Sequence, residues 1–277
     1  MAGLGVTLAT VLAVANRRLH VYEDPRIDEV EGLLPASNCG ACGQAGCRPF
    51  AQALIAGVTE PARCTVNNAE NAQLIADTLG VDVGAVEKRI PRLACAGGNN
   101  VARHHAHYIG LPSCHAAAQL GGSKGCAWGC LGLADCETAC RFDAIQMTLS
   151  RLPVVDTALC TACGDCVAIC PRDLFSLQPI SRRLWVACRN PLSHDEAEAQ
   201  CAVACTGCER CAADAADGLI TVENNLAVVN YALNNRASPD AIQRCPTGAI
   251  VWLDLERGLQ RGARARKVVR QSALPVG

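Results

Sequence analysis

The sequence predicts an α+β chain: a small helical N-terminal module, then two compact modules in which short strands alternate with cysteine knuckles. Three observations carry this. Twenty of the 277 residues are cysteines, many of them in Cys-x-x-Cys steps. Apolar residues recur at helical spacing before Gly80. From Cys126 onward the chain repeats a cysteine knuckle that leads into a short apolar run.

The elements follow in order. Residues 1–20 hold a short apolar helix: Ala2 to Ala15 are apolar or small, and Arg17 and Arg18 follow. Such a run reaches about 21 Å against a hydrocarbon core of about 30 Å, too short to span alone. Two readings stay open, a helix packed on a partner or a truncated membrane anchor; as an anchor, its arginines would keep the rest of the chain in the cytoplasm. No basic region precedes the run, so it does not read as a secretory signal. Residues 21–82 form the N-terminal module. Asp24 and Pro25 read as N-cap and first residue of a helix with Ile27, Val30 and Leu34 on one face. Phe50, Ala51, Leu54 and Ile55 share a second face, ended by Gly57. Leu74, Ile75 and Leu79 share a third, ended by Gly80.

Residues 83–122 read as a connector. Residues 123–182 hold two repeats, one ending at Cys140 before the strand-like Ala144-Ile145, the next at Cys170. Residues 183–255 hold two more. There Leu219–Val222 and Leu226–Asn230 predict a hairpin turning at Glu223–Asn225, and the last repeat ends at Cys245-Pro246. Residues 256–277 are a basic tail: Arg257 to Arg270 carries six basic residues and no acid, a solvated terminus or a surface for an anionic partner.

Composition narrows the chemistry. With three each of Phe, Tyr and Trp, the core needs another source of cohesion, and bound metal supplies it because binding free energy becomes folding free energy. A net charge of −1 points away from nucleic acid. No Gly-rich phosphate loop appears, so no nucleotide or flavin site is expected. Disulfides suit small secreted domains, whereas successive Cys-x-x-Cys steps aim several sulfurs at one point.

The strongest motif is Cys160-x-x-Cys163-x-x-Cys166-x-x-x-Cys170-Pro171. This is the two-cluster ferredoxin run, in which the fourth cysteine ligates the other [4Fe–4S] cluster. It makes the two later modules ferredoxin-like, of βαβ type. The upstream partner run is altered: Cys126, Cys130, Cys136 and Cys140, with Leu133 where a middle cysteine belongs. Letting Cys126 replace it and crossing the fourth ligands gives two expected sets. One is Cys126, Cys130, Cys136 and Cys170; the other is Cys160, Cys163, Cys166 and Cys140. The third set follows the same rule. Cys205, Cys208 and Cys211 lack a fourth partner at Ala215, and Cys245 lacks its first three at Asn235, Ser238 and Ala241. Crossing joins Cys205, Cys208, Cys211 and Cys245, and leaves one cluster deleted as a unit.

The N-terminal set is Cys39, Cys42, Cys47 and Cys64, interleaved by Gly40, Gly43 and Gly46, with a zinc knuckle as the rival reading. That makes four [4Fe–4S] sites. Cys95, Cys114, Cys188 and Cys201 remain, the number for a fifth cubane or for buried free thiols. His104, His105, His107 and His115 lie near two of them and read as a polar loop or a mixed site. No nucleophile triad appears, so no catalytic residue is expected.

These motifs resemble a known family, the B subunits of the Rnf (Rsx) ferredoxin:NAD oxidoreductase complexes. His20 to Glu31 is similar to the segment after that family's membrane helix. Leu34 to Cys47 resembles its first cluster motif. Gly129-Cys130-Leu131-Gly132, Ser181-Arg182-Arg183 and Val186-Ala187-Cys188 resemble its long form. The resemblance implies a position at the cytoplasmic face of the cell membrane. The chain would exchange electrons with soluble ferredoxin and pass them to other subunits that hold flavin and the NAD site, with membrane contact through residues 2–15. Two departures stand out: set against the family's membrane helix the apolar helix is about half length, and one of the long form's six clusters is missing. Both fit recruitment to a soluble redox assembly as the alternative.

Overall fold

In the computed structural model, residues 2–19, 23–254 and 257–266 are described. The chain divides into two compact units, Met1–Val86 and Glu87–Gly277. Helices and small sheets are mixed.

The first unit is helical. Helix α1, Ala2–Leu19, runs four residues past the apolar stretch to include both arginines. Val6, Leu8, Val11, Leu12 and Val14 are all exposed on it. Among the described residues no helix is long and apolar enough to cross a membrane. Helix α2, Arg26–Gly32, starts one residue later than its cap pattern suggests; the Asp24 carboxylate accepts from the Arg26 amide at 3.0 Å. Helix α3 spans Cys47–Ile55 and α4 spans Ala69–Leu79. Asn68 caps α4, its side chain accepting from Asn71 N at 2.6 Å, and Gly80 ends it in the left-handed conformation. Ile27, Val30, Leu34, Phe50, Ala51, Leu54 and Ile75 close one core. Leu74, assigned to that face by spacing, points to solvent at 46 % exposure; Ala72 and Ala76 are the buried neighbours of Ile75.

The second unit begins inside the expected connector. Strand β1, Arg89–Leu93, is followed by helix α5, Cys114–Gln119, helix α6, Asp135–Thr138, and strands β2, Ile145–Met147, and β3, Pro153–Val155. Next come helix α7, Asp165–Ala168, strands β4, Phe175–Pro179, and β5, Leu184–Val186, and helices α8, His194–Gln200, and α9, Arg210–Asp214. Strands β6, Ile220–Glu223, β7, Leu226–Val229, β8, Ile250–Asp254, and β9, Gly258–Arg261, complete it. Strand β1 pairs with β4, β2 with β3, β6 with β7, and β8 lies between β5 and β9. Every pairing is antiparallel. The βαβ-type crossover expected of these modules is therefore replaced, among the described residues, by hairpins and long-range antiparallel pairs. The helices α6, α7 and α9 are single turns, too short to cover a sheet face as a crossover helix does. The β6–β7 hairpin turns at Asn224 and Asn225, both with positive φ, the two-residue turn that asparagine favours.

One local frame recurs four times. Three residues after the last position of each run the backbone is left-handed, at Asp143, Asp173, Gly218 and Gly248. A buried pair follows each: Ala144-Ile145, Leu174-Phe175, Leu219-Ile220 and Ala249-Ile250. Each pair leads into a strand. In the third frame Ala215 stands where Cys140, Cys170 and Cys245 stand in the others. In the fourth, Ala241 occupies the place of Cys136, Cys166 and Cys211, on a 3-10 helix, Pro239–Ile242. Ala215 and Ala241 belong to one apolar cluster with Leu184, Leu219, Leu233, Ala237 and Ile242. Ser238 caps the 3-10 helix by accepting from Asp240 N, and Asn235 faces solvent. Side-chain packing thus fills this half of the module. Ile242 is 1 % exposed there, so Ile242→Ala should cost about 2–5 kcal/mol, read as a lowered urea midpoint against wild type at equal iron content.

Candidate iron–sulfur sites

All twenty cysteines are free of disulfides, and the fold gathers them into sets of four. In site I, the loop before α3 carries positive φ at Ala36, Asn38, Gly40 and Gly43. It wraps Cys39 and Cys42 around the helix start. The Asn38 carboxamide oxygen accepts from the Cys47 amide at 2.8 Å. A Cβ on Gly46 would lie 2.7 Å from that oxygen, so a larger residue there would push the Asn38 carboxamide away from the Cys47 amide. Cys47 is buried, and Cys42 and Cys64 pack against the same core. Burial pushes the Cys64 thiol up, amides of Asn67 and Val66 lower it, and the charges of Cys42 and Cys39 raise it.

Site II brings Cys140, Cys160, Cys163 and Cys166 around one cavity, with Ala144, Ile145 and Leu177 as apolar walls. Site V does the same with Cys205, Cys208, Cys211 and Cys245. Both are the sets that crossing the fourth cysteine predicts. Short helices place the middle sulfurs: α7 carries Cys166 and α9 carries Cys211, each entered through a left-handed residue, Gly164 and Glu209.

Site III differs from expectation. Its cavity is lined by Cys114, Cys130, Cys136 and Cys170; Cys114, not Cys126, takes the fourth place. The cause is local. The Asp135 carboxylate, beside Cys136, accepts from Cys114 N at 2.8 Å, His115 N at 3.2 Å and Ser113 Oγ at 3.0 Å. It thereby pins the start of α5 against α6. The Leu133 amide donates to the Cys114 sulfur, so the residue lacking a thiol holds the replacement by its backbone. A serine N-cap before Cys114 was the sequence signal for a helix start, but nothing in the spacing tied that helix to Cys136.

Cys126 instead joins the remaining three. Cys95, Cys126, Cys188 and Cys201 line one cavity, site IV, with Lys124, Trp128, Arg189 and Asn190. Backbone amides reach its sulfurs: Gly97 and Cys130 donate to Cys95, both at 3.4 Å. Trp128 and Gly129 donate to Cys126, Val203 to Cys201, and Asn190 and Cys205 to Cys188. Among the described residues no three Cys, His, Asp or Glu side chains close on a point that one ion could occupy. Burial lowers the His104 pKa, helped by Lys124 and His107.

The sulfurs are costly to ionise alone. Burial, first among the causes, pushes Cys130, Cys136, Cys166, Cys188, Cys201 and Cys211 up to about 12. The amide donors pull the other way and favour the thiolate. Buried thiols, convergent in fours and ringed by N–H donors, fit the cationic core of an iron–sulfide cluster.

Comparison with known proteins agrees with that chemistry. Residues 34–66 match a family model described as "Putative Fe-S cluster", and residues 152–175 match a 4Fe-4S binding domain. The class is thus an iron–sulfur electron-transfer protein.

Long relatives narrow it further. The chain is 36 % identical over 255 residues to the B subunit of the Na(+)-translocating ferredoxin:NAD(+) oxidoreductase complex of Acetobacterium woodii, covering 92 % of this chain and 76 % of that one. It is 37 % identical over 251 residues to the B subunit of the ion-translocating oxidoreductase complex of Methanosarcina acetivorans, covering 90 % and 95 %. It is 36 % identical over 253 residues to the B subunit of the proton-translocating ferredoxin:NAD(+) oxidoreductase complex of Clostridium ljungdahlii, covering 90 % and 89 %. The chain belongs to this family, the B subunits of Rnf complexes.

The regrouping is testable by iron analysis of paired substitutions. Cys114→Ser with Cys170→Ser should lose one cluster, about 4 Fe, as either change alone does. Cys126→Ser with Cys170→Ser should lose two, about 8 Fe. The opposite pattern would restore Cys126 to site III.

Proposed function

We propose that sites I to V each bind one [4Fe–4S] cluster through four thiolates, and that the chain relays electrons between soluble ferredoxin and the flavin- and NAD-bearing subunits of an Rnf complex. The observation that carries the reading is the convergence of four cysteines on each of four cavities, II to V. Zinc binds thiolates at about 2.3 Å around a single point, whereas these sulfurs surround a cavity. Clusters of this kind supply one-electron redox chemistry; the chain's residues fix where each sits and what charge it feels.

Adjacency supports a relay. Cys136 of site III and Cys166 of site II share one buried cluster with Ile145 and Phe175. Site III meets site IV through the Cys130 amide on the Cys95 sulfur. Site IV meets site V through the Cys205 amide on the Cys188 sulfur. Site IV is therefore the junction between the two ferredoxin-like modules, 123–182 and 183–255, with the expected connector, 83–122, supplying Cys95 to it and Cys114 to site III. The apolar side chains of α1 are covered by a partner subunit or lipid at the inner membrane face. A relay subunit of a soluble assembly is the second reading; subunits recovered with the native complex under anaerobic purification separate the two.

Two outcomes check this function. The anaerobically purified chain should hold about 20 Fe, with visible absorption bleached on reduction by ferredoxin. Iron near 16 would remove site IV, and a zinc-dominated analysis would remove the whole reading. Deleting residues 2–15 should release the chain from membranes or partners while its visible spectrum stays intact; a bleached product would make α1 part of the core.

A further inference from the structure

The charges around the four cavities of the second unit differ. Asp165 is the charged residue lining site II, ion-paired with Arg141 at 3.1 Å, and Glu209 the one lining site V. Site III has Asp135 and Arg172, one of each sign. Site IV has Lys124 and Arg189 and, among the described residues, no acid. Lys124 is 6 % exposed. Its ammonium donates to the Gly97 carbonyl at 2.8 Å. Gly97 itself lies against the sulfurs: a Cβ there would be 3.1 Å from Cys201 Sγ and 3.6 Å from Cys95 Sγ. The same charge reaches Cys130 in site III, where it favours the thiolate.

Burying an ammonium without a counter-charge is costly. A net-negative cluster held by four thiolates is the counter-charge this cavity would hold, so the lysine and the cluster stabilise each other. Reduction adds one more negative charge, and a fixed cation beside it stabilises the reduced form more than the oxidised one. We propose that Lys124 makes site IV the highest-potential stop of the relay in this unit, an electron well at the junction of the two modules. The proposal rests on site IV holding a cluster. One electron leaves the reduced cluster of a neighbouring site and enters the oxidised cluster of site IV. No bond forms or breaks, and no proton is needed. Sites II and V, whose linings hold no cation among the described residues, then lie at lower potential.

Redox titration of the full chain, followed by electron paramagnetic resonance, tests this. The site IV signal is the one lost in Cys201→Ala together with about 4 Fe. In wild type that signal should appear at the highest potential of the four. Lys124→Gln should reduce its reduction equilibrium constant at least tenfold, about 59 mV for one electron. Lys124→Arg should hold it within about threefold, since the charge persists. Site III should shift less, and sites II and V should stay. If Lys124→Gln loses the cluster, Arg189→Gln carries the test, with a smaller shift in the same direction. A wild-type site IV that is not the highest, or a charge-removing variant with its cluster and an unmoved potential, overturns the role of Lys124. Unchanged iron in Cys201→Ala instead overturns the fifth cluster itself.

Discussion

A thiolate in a protein interior persists only where a cationic partner shares its charge, and this fold puts its thiols inside. Cys47, Cys136, Cys166, Cys201, Cys205, Cys211 and Cys245 are buried. Most sit in the same apolar clusters as Phe50, Ile145, Phe175, Leu219 and Ile250. With three each of Phe, Tyr and Trp, those apolar clusters are small. Cysteine side chains are themselves part of these cores, beside a few large Leu, Ile and Phe residues, so bound metal would add directly to the cohesion of each. The helices that carry sulfurs, α3, α5, α6, α7 and α9, deliver one each.

Delivery is a backbone problem. A run of closely spaced cysteines curls its sulfurs inward only if the chain turns left-handed at set places. Those places are Ala134, Gly164 and Glu209 before the single-turn helices, and Asp143, Asp173, Gly218 and Gly248 after the runs. The second turn reverses the chain into the buried pair and the strand that follows, and carries the last cysteine away from its own run. Crossing of the fourth ligand is thus a consequence of where the left-handed residue falls. It holds equally in the frame where Ala215 has replaced the cysteine.

That dependence explains what was legible in the sequence. Spacing inside a run reports local curvature, so sites II and V, and the pairing of Cys205 with Cys245, could be read directly. The Asn224-Asn225 turn and the glycine-ended helices α3 and α4 were legible for the same local reason. Site III was not, because Cys114 reaches it through the Asp135 carboxylate, a tertiary contact across 21 residues that no spacing encodes. Once Cys114 is placed, Cys126 falls to site IV, so one hydrogen-bonded carboxylate accounts for both departures from the spacing rule. Leu74 departs for a weaker cause: α4 buries the narrow alanine side of its surface around Ile75, and periodicity weighted by size favours the wrong leucine. The long antiparallel pair has no local signature either, because β1 lies in a stretch with no motif, and its partner β4 is over eighty residues away.

The filled half of the C-terminal module and the cationic junction belong together. A two-cluster ferredoxin module offers entry and exit at opposite ends. Here one end is packed with Ala215, Ala241, Leu233 and Ile242, so a cluster in site V has its nearest neighbour in site IV. Traffic through site V must then use its own surface, beside Glu209, or return through Cys205 and Cys188. A terminal site that exchanges with an outside carrier gains from a low potential, since it must give electrons up as readily as it takes them. A junction between modules gains from the reverse, because it draws electrons from the neighbouring sites and stores one between transfers. The acid at site V and the buried lysine at site IV place the charges in that sense. With no cysteine at Asn235, Ser238, Ala241 or Ala215, the filled half carries no unpaired buried sulfur, while Cys205, Cys208, Cys211 and Cys245 stand together around one cavity.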